Sequence, residues 1–141
     1  MRVKIDLPLN FSFFIELAVR VKDLNYADHL SNDAVLSLAH EARMAFMKHL
    51  GMTELQIGDG LGLIMADAAI VFKSEAHYGD VLLIEIVAQE FTKAGFELLY
   101  RISQVQTQKE VARVKTGMVC FDYVSRKVAF LPEKTRILLE S

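Results

Sequence analysis

Between Ser31 and Leu50 the apolar residues fall around well over half the circumference of a helix. Ala34, Val35, Leu36, Leu38, Ala39, Ala42, Ala45, Phe46, Met47 and Leu50 form that surface, while Asp33, Ser37, His40, Glu41 and Lys48 share the remaining arc. A helix this apolar packs on several sides rather than lying on a surface. Ser31 or Asn32 supplies the N-cap, and Asp33 in the first turn suits the helix dipole. Gly51 follows Lys48 and His49 as a C′ residue.

The remaining pattern is β. Residues 2–7 read as a short strand, interrupted by Pro8 and Asn10. From Phe13 to Lys22 the period is two, with Phe13, Ile15, Leu17, Val19 and Val21 on the apolar face. Residues 51–60 make a loop with room for one helical turn. Strands follow at Leu61–Lys73, Val81–Glu90, Phe96–Gln104, Val111–Tyr123 and Lys127–Leu131, separated by turns at Tyr78-Gly79-Asp80, Lys93-Ala94-Gly95, Gln106–Lys109 and Ser125-Arg126. Pro132 then opens a short helix at its N1 position. One long helix covered by an antiparallel sheet is an α+β layer arrangement, in one domain over residues 1–141. The second sheet face and the free edges imply self-association.

Composition narrows the function classes. A 52% hydrophobic content supports a filled core, and 16 basic against 18 acidic residues provide no basic field for nucleic acid. No run reaches the apolar length that a membrane helix needs. The lone cysteine, Cys120, lies in an apolar strand, which makes it core filler and fits a reducing, cytoplasmic setting.

Chemistry concentrates in the polar segment ahead of the long helix, which holds Asp23, Asn25, Asp28, His29, Asn32 and Asp33. A neutral His29 there could donate to a substrate carbonyl beside helix N–H groups, or simply cap a backbone group. Asn25 can orient water or a carbonyl, or close an Asx-turn, but it is no base. Asp33 serves as a base or as a partner for the dipole, and its first-turn place favours the latter.

Glu41 sits at the edge of the polar arc, and Arg43 lies inside the apolar one. A carboxylate on so buried a helix needs an ion pair, a hydrogen bond or a proton held to higher pH. The last would suit a general base; Arg43, Lys48 or a neighbouring strand's arginine would supply the ion pair. His77 and Tyr78 read as turn residues. His29, His40, His49 and His77 lack the close spacing of metal ligands, so no metal is expected. Neither a GxSxG element nor a phosphate-cradling loop is present.

The order of elements and these residues together resemble the hotdog-fold thioesterases, specifically the 4-hydroxybenzoyl-CoA thioesterase-like acyl-CoA hydrolases. That family carries a D-x-D-x-x-G-H-x-N-N-like loop and a central helix with an E-x-A-R element. Here Asp23-Leu24-Asn25-Tyr26-Ala27-Asp28-His29-Leu30-Ser31-Asn32 stands in the loop, with Glu41, Ala42 and Arg43 on the helix. Ala76-His77-Tyr78-Gly79-Asp80 looks like the family's turn between the second and third strands. Phe121-Asp122 and Leu131-Pro132-Glu133 look like its last strand and the segment after it, so the resemblance spans residues 13–133.

The resemblance implies hydrolysis of acyl-CoA or acyl-carrier-protein thioesters by a homodimer or homotetramer. No cofactor is implied beyond the coenzyme A of the substrate. The chain departs from the family where Asn25 replaces the second acid of D-x-D, the catalytic carboxylate of the benzoyl-CoA branch. A nucleophilic carboxylate at that position is thereby excluded.

The loop is also similar to that of plant acyl-carrier-protein thioesterases, where Asn and His take part. What the resemblance leaves is metal-free attack by water, with Asn25 and His29 at the water or carbonyl and Glu41 or Asp33 as base. Asp33 and Tyr26 would contact substrate. Another hotdog branch uses a helix Glu as its carboxylate, which favours Glu41. Two rival readings are a hotdog dehydratase or hydratase, and a non-catalytic acyl-thioester-binding protein.

Overall fold

Alternating apolar residues build the sheet in the computed structural model, which describes residues 2–141. Its strands are β1 (Phe13–Ala18), β2 (Gly62–Phe72), β3 (Val81–Gln89), β4 (Gly95–Gln104), β5 (Glu110–Asp122) and β6 (Lys127–Val128). Two helices, α1 (Asn32–His49) and α2 (Glu133–Glu140), complete the elements, with a short 3-10 turn at Val21–Asp23. The strands are antiparallel in the order β1-β3-β4-β5-β2, and β6 pairs with the end of β5.

Register puts Ile86, Tyr100 and Val114 in one row, all fully buried on the face beneath α1. Glu85, Arg101 and Arg113 form the adjacent row on the opposite face, where Arg101 donates to Glu85 at 2.9 Å. The helix seats Val35, Leu38, Ala39, Ala42, Phe46 and Met47 on the inner face. Full burial of a side chain the size of Leu38 or Phe46 stabilises the fold by about 2–3 kcal/mol. Ser31 is the N-cap, its hydroxyl accepting from Ala34 N at 3.3 Å, and Gly51 takes the left-handed conformation at φ +79°.

Several local expectations are corrected. Residues 2–7 form no strand: Ile5 is buried, and the Arg113 side chain, rather than a ladder, holds its carbonyl at 2.9 Å. The β1 alternation ends at the buried Val19. Val21 is exposed because the 3-10 turn rotates the chain out of the strand period. Residues 51–60 contain no helical turn; bridges between Thr53 and Gln56 and between Gly58 and Leu61 tighten the loop instead. The last strand is only two residues long, and Pro132 is the N-cap of α2 rather than its first helical residue.

Candidate functional site

The loop between the 3-10 turn and α1 is built by its own polar side chains. Asp23 is buried, and its carboxylate accepts from Arg20 N at 2.9 Å while its carbonyl accepts from Ser31 N at 2.9 Å. Asn25 Oδ1 accepts from Ala27 N at 2.9 Å and His29 N at 3.2 Å, which is the Asx-turn role. The turn is completed by Asp28 in the left-handed region at φ +63°, a conformation that Asp tolerates better than most residues. Asn25 thus fixes the path that carries His29.

His29 is partly buried and bridges the chain ahead of β3, since Leu30 N donates to Ala76 O at 2.8 Å. Its Nε2 stands 3.4 Å from Glu75 Oε2, and its ring meets the His77 ring edge-on at 5.2 Å. Tyr26, at the loop's tip, is fully exposed.

Asp33 and Glu41 project from the open side of α1 into a cleft of about 330 Å³, whose walls include Arg20, Lys22, Ser37 and Met44. The Ser31 side chain, followed by helix N-terminal backbone N–H groups, holds the Asp33 carboxyl below the usual carboxylate range. That preference for the anion makes Asp33 a weaker proton acceptor. Glu41 is exposed and has no ion-pair partner among the described residues. The chain's own fold therefore leaves unburied a carboxylate that the helical pattern placed among packed surfaces. Only the inward stripe of α1 meets the sheet, and the arc carrying Asp33, Ser37, His40 and Glu41 stays open.

Arg43, two residues on, is 5% exposed and fully engaged. Its Nε donates to Glu54 at 2.6 Å and its Nη1 to Tyr100 Oη at 3.1 Å, while Tyr100 shares a 2.9 Å hydrogen bond with Thr116. Burial acts to lower the Arg43 pKa, but Tyr100 and Glu54 outweigh it and leave it raised. The ion pair offered to Glu41 is thus taken by Glu54, a loop residue with no distinguishing local signal. Cys120 is a buried free thiol, and burial pushes its pKa up, as suits core filler.

The expected site residues fall into two groups. Asp33 and Glu41 share the cleft, which neither Asn25, Tyr26 nor His29 lines. His29 gathers instead with Glu75 and His77. Glu75 went unremarked in the sequence, although Glu75-Ala76-His77 ahead of Gly79 has the i, i+2 spacing that puts two side chains on one side of an extended segment.

Residues 19–139 match the model of the thioesterase-like superfamily. A 1,4-dihydroxy-2-naphthoyl-CoA hydrolase from Synechocystis is 30% identical over 125 residues, covering 86% of this chain and 90% of that one. The crystal structure of a Synechocystis 1,4-dihydroxy-2-naphthoyl-CoA thioesterase superposes with a TM-score of 0.81 at 28% identity, over 90% of this chain and 94% of the other. A probable thioesterase from Escherichia coli shares the fold at 20% identity and a TM-score of 0.78, over 92% and 97% of the two chains.

Proposed function

This chain belongs to the thioesterase-like superfamily and takes the hotdog fold, and from that premise we propose how it acts as an acyl-CoA thioester hydrolase. The observation that carries the site is the cleft along the open face of α1. There Glu41 lies unpaired in the same cleft as an Asp33 stabilised as its anion, with Arg20 and Lys22 on the wall. Glu41 takes a proton from water as the water oxygen attacks the thioester carbonyl carbon. In the dimer proposed below, the first-turn N–H groups of the second copy's α1 and that copy's His29 loop meet the resulting oxyanion. Collapse of that intermediate breaks the C–S bond, and the departing thiolate takes up the proton from Glu41.

In this reading Asn25 acts mainly by holding the His29 loop, with its side-chain N–H group free to donate to water or carbonyl. Tyr26 and Asp33 contact the substrate, and Arg20 and Lys22 offer charge to the phosphates of coenzyme A. The reaction uses no metal and no cofactor beyond the coenzyme A that the substrate carries.

The same surfaces support the reading of a homodimer or homotetramer. The β1 and β2 edges and the open arc of α1 are what a second copy would cover, bringing Glu41 and a His29 loop towards one bound thioester. No helix of the described residues is long and apolar enough to cross a membrane. The buried free Cys120 fits a reducing, cytoplasmic location.

The test is free-thiol release across straight-chain and aromatic acyl-CoAs and an acyl-carrier-protein thioester. Turnover of at least one CoA ester, lost in Glu41→Ala and His29→Ala, is the expected result. Absence of turnover across the panel overturns the activity, and full activity in both variants overturns the assigned residues. A non-catalytic acyl-thioester-binding role is the second reading, favoured by the neutral, turn-closing Asn25. Saturable binding of a non-hydrolysable acyl-CoA without any turnover of esters would select it.

A further inference from the structure

Away from the cleft, His29 meets two ligating side chains remote from it in sequence, Glu75 and His77, on the surface. The antiparallel bridge between His29 and His77, fixed by the Leu30–Ala76 hydrogen bond, places the two imidazoles side by side. Ala76 is buried, so its neighbours Glu75 and His77 both point outward. One ligand atom from each of His29, Glu75 and His77 lies within 4.8 Å of the others. Glu75 Oε2 is 3.4 Å from His29 Nε2 and 4.0 Å from His77 Nε2. Ligands about 2.0–2.1 Å from one tetrahedral ion stand about 3.3–3.5 Å apart, so small side-chain rotations close the set.

The surroundings supply a further part of such a site. His77 Nδ1 faces Asp80 Oδ2 at 3.9 Å, and Asp80 is held in place by the His77 backbone N–H at 2.9 Å. A small rotation of the ring brings Nδ1 within hydrogen-bond reach of that carboxylate with Nε2 towards the ion, the usual outer support of a metal-binding histidine. Two imidazoles and one carboxylate suit a borderline divalent ion and leave a coordination position for water. All three side chains are accessible enough for an ion to enter.

We propose that His29, Glu75 and His77 form a three-ligand site for a zinc-type divalent ion, and that occupancy withdraws His29 from the thioester. The second half rests on the hydrolase reading; the first does not. A ring nitrogen that ligates the ion carries no proton to donate to the oxyanion, and a fixed cation 2 Å or so from His29 reorients its ring. Metal-loaded protein is then the inhibited form, and the metal-free protein the active one.

The metal-free full chain is titrated with zinc chloride by calorimetry and with cobalt(II) by visible absorption. One saturable site per chain is expected, weakened by about tenfold or more in His77→Ala and in Glu75→Ala. His49→Ala, which removes an imidazole elsewhere, retains it. Lack of saturable uptake, or uptake undiminished in His77→Ala, overturns the site. On a hydrolysed CoA ester, zinc is expected to inhibit the parent chain at concentrations that leave His77→Ala active. Bound zinc with unchanged turnover overturns the coupling to His29. If no ester is hydrolysed at all, the binding titrations still decide the site.

Discussion

Arg43 of α1 and Glu54 of the following loop meet at 2.6 Å beneath the sheet, with Tyr100 and Thr116 completing the network. Glu54→Ala leaves a guanidinium that is 5% exposed without its carboxylate. Stability should fall by roughly 3 kcal/mol, the lower end for breaking a buried pair, because Glu54 keeps partial solvent contact. Urea denaturation measures it. A midpoint unchanged from the parent would mean that water replaces Glu54 without penalty.

The exposed Glu41 invites the opposite outcome. Glu41→Gln should leave stability within about 0.5 kcal/mol, because it removes a surface charge from no ion pair. It should lower kcat by about a hundredfold if Glu41 is the general base. Asp33→Asn, at a carboxyl already favoured as its anion, should cost less. Steady-state kinetics on one hydrolysed ester separates the two, and the reverse ranking would move the base to Asp33.

Asn25 is assigned mainly to shape. Asn25→Ala removes the acceptor for two loop N–H groups and should destabilise the chain by about 1 kcal/mol. Asn25→Asp keeps that acceptor and should stay close to the parent in thermal unfolding. Equal losses in the two variants would show that the amide's N–H group, not its oxygen, matters to the fold.

Tyr100 sets an alkaline limit. Burial raises its phenol above the ordinary 10.0, with Arg43 and Thr116 acting in the other direction. The folded chain therefore keeps this proton to higher pH than the unfolded chain does. Its contribution is intact below the unfolded value of 10.0 and is lost as pH rises through the folded one. Unfolding free energies from about pH 9 to 11 should decline more steeply for the parent than for Tyr100→Phe. Parallel curves would assign the alkaline loss to other groups.

Periodicity exposed most of the fold. The period of two marked β2 to β5 to within a residue or so, because alternate Cβ atoms of any strand face opposite sides. It misled at residues 2–7 and at Val21, where a side-chain hydrogen bond from Arg113 and a 3-10 turn override the local pattern. The apolar arc of α1 was also legible, but it overstated how much of the helix this chain covers by itself. Glu41 is consequently exposed where close packing was expected.

By itself the sequence determined that β2 to β5 are strands, that a long helix opens at Ser31 or Asn32, and that Asn25 cannot be a carboxylate nucleophile. Those properties depend on backbone geometry and on the chemistry of single residues. Only the tertiary structure decided that Glu54 rather than Glu41 holds Arg43, and that His29 stands against Glu75 and His77. Such pairings join residues far apart in the chain. They are set by strand register and loop path, which arise from packing the whole core rather than from any short window of residues.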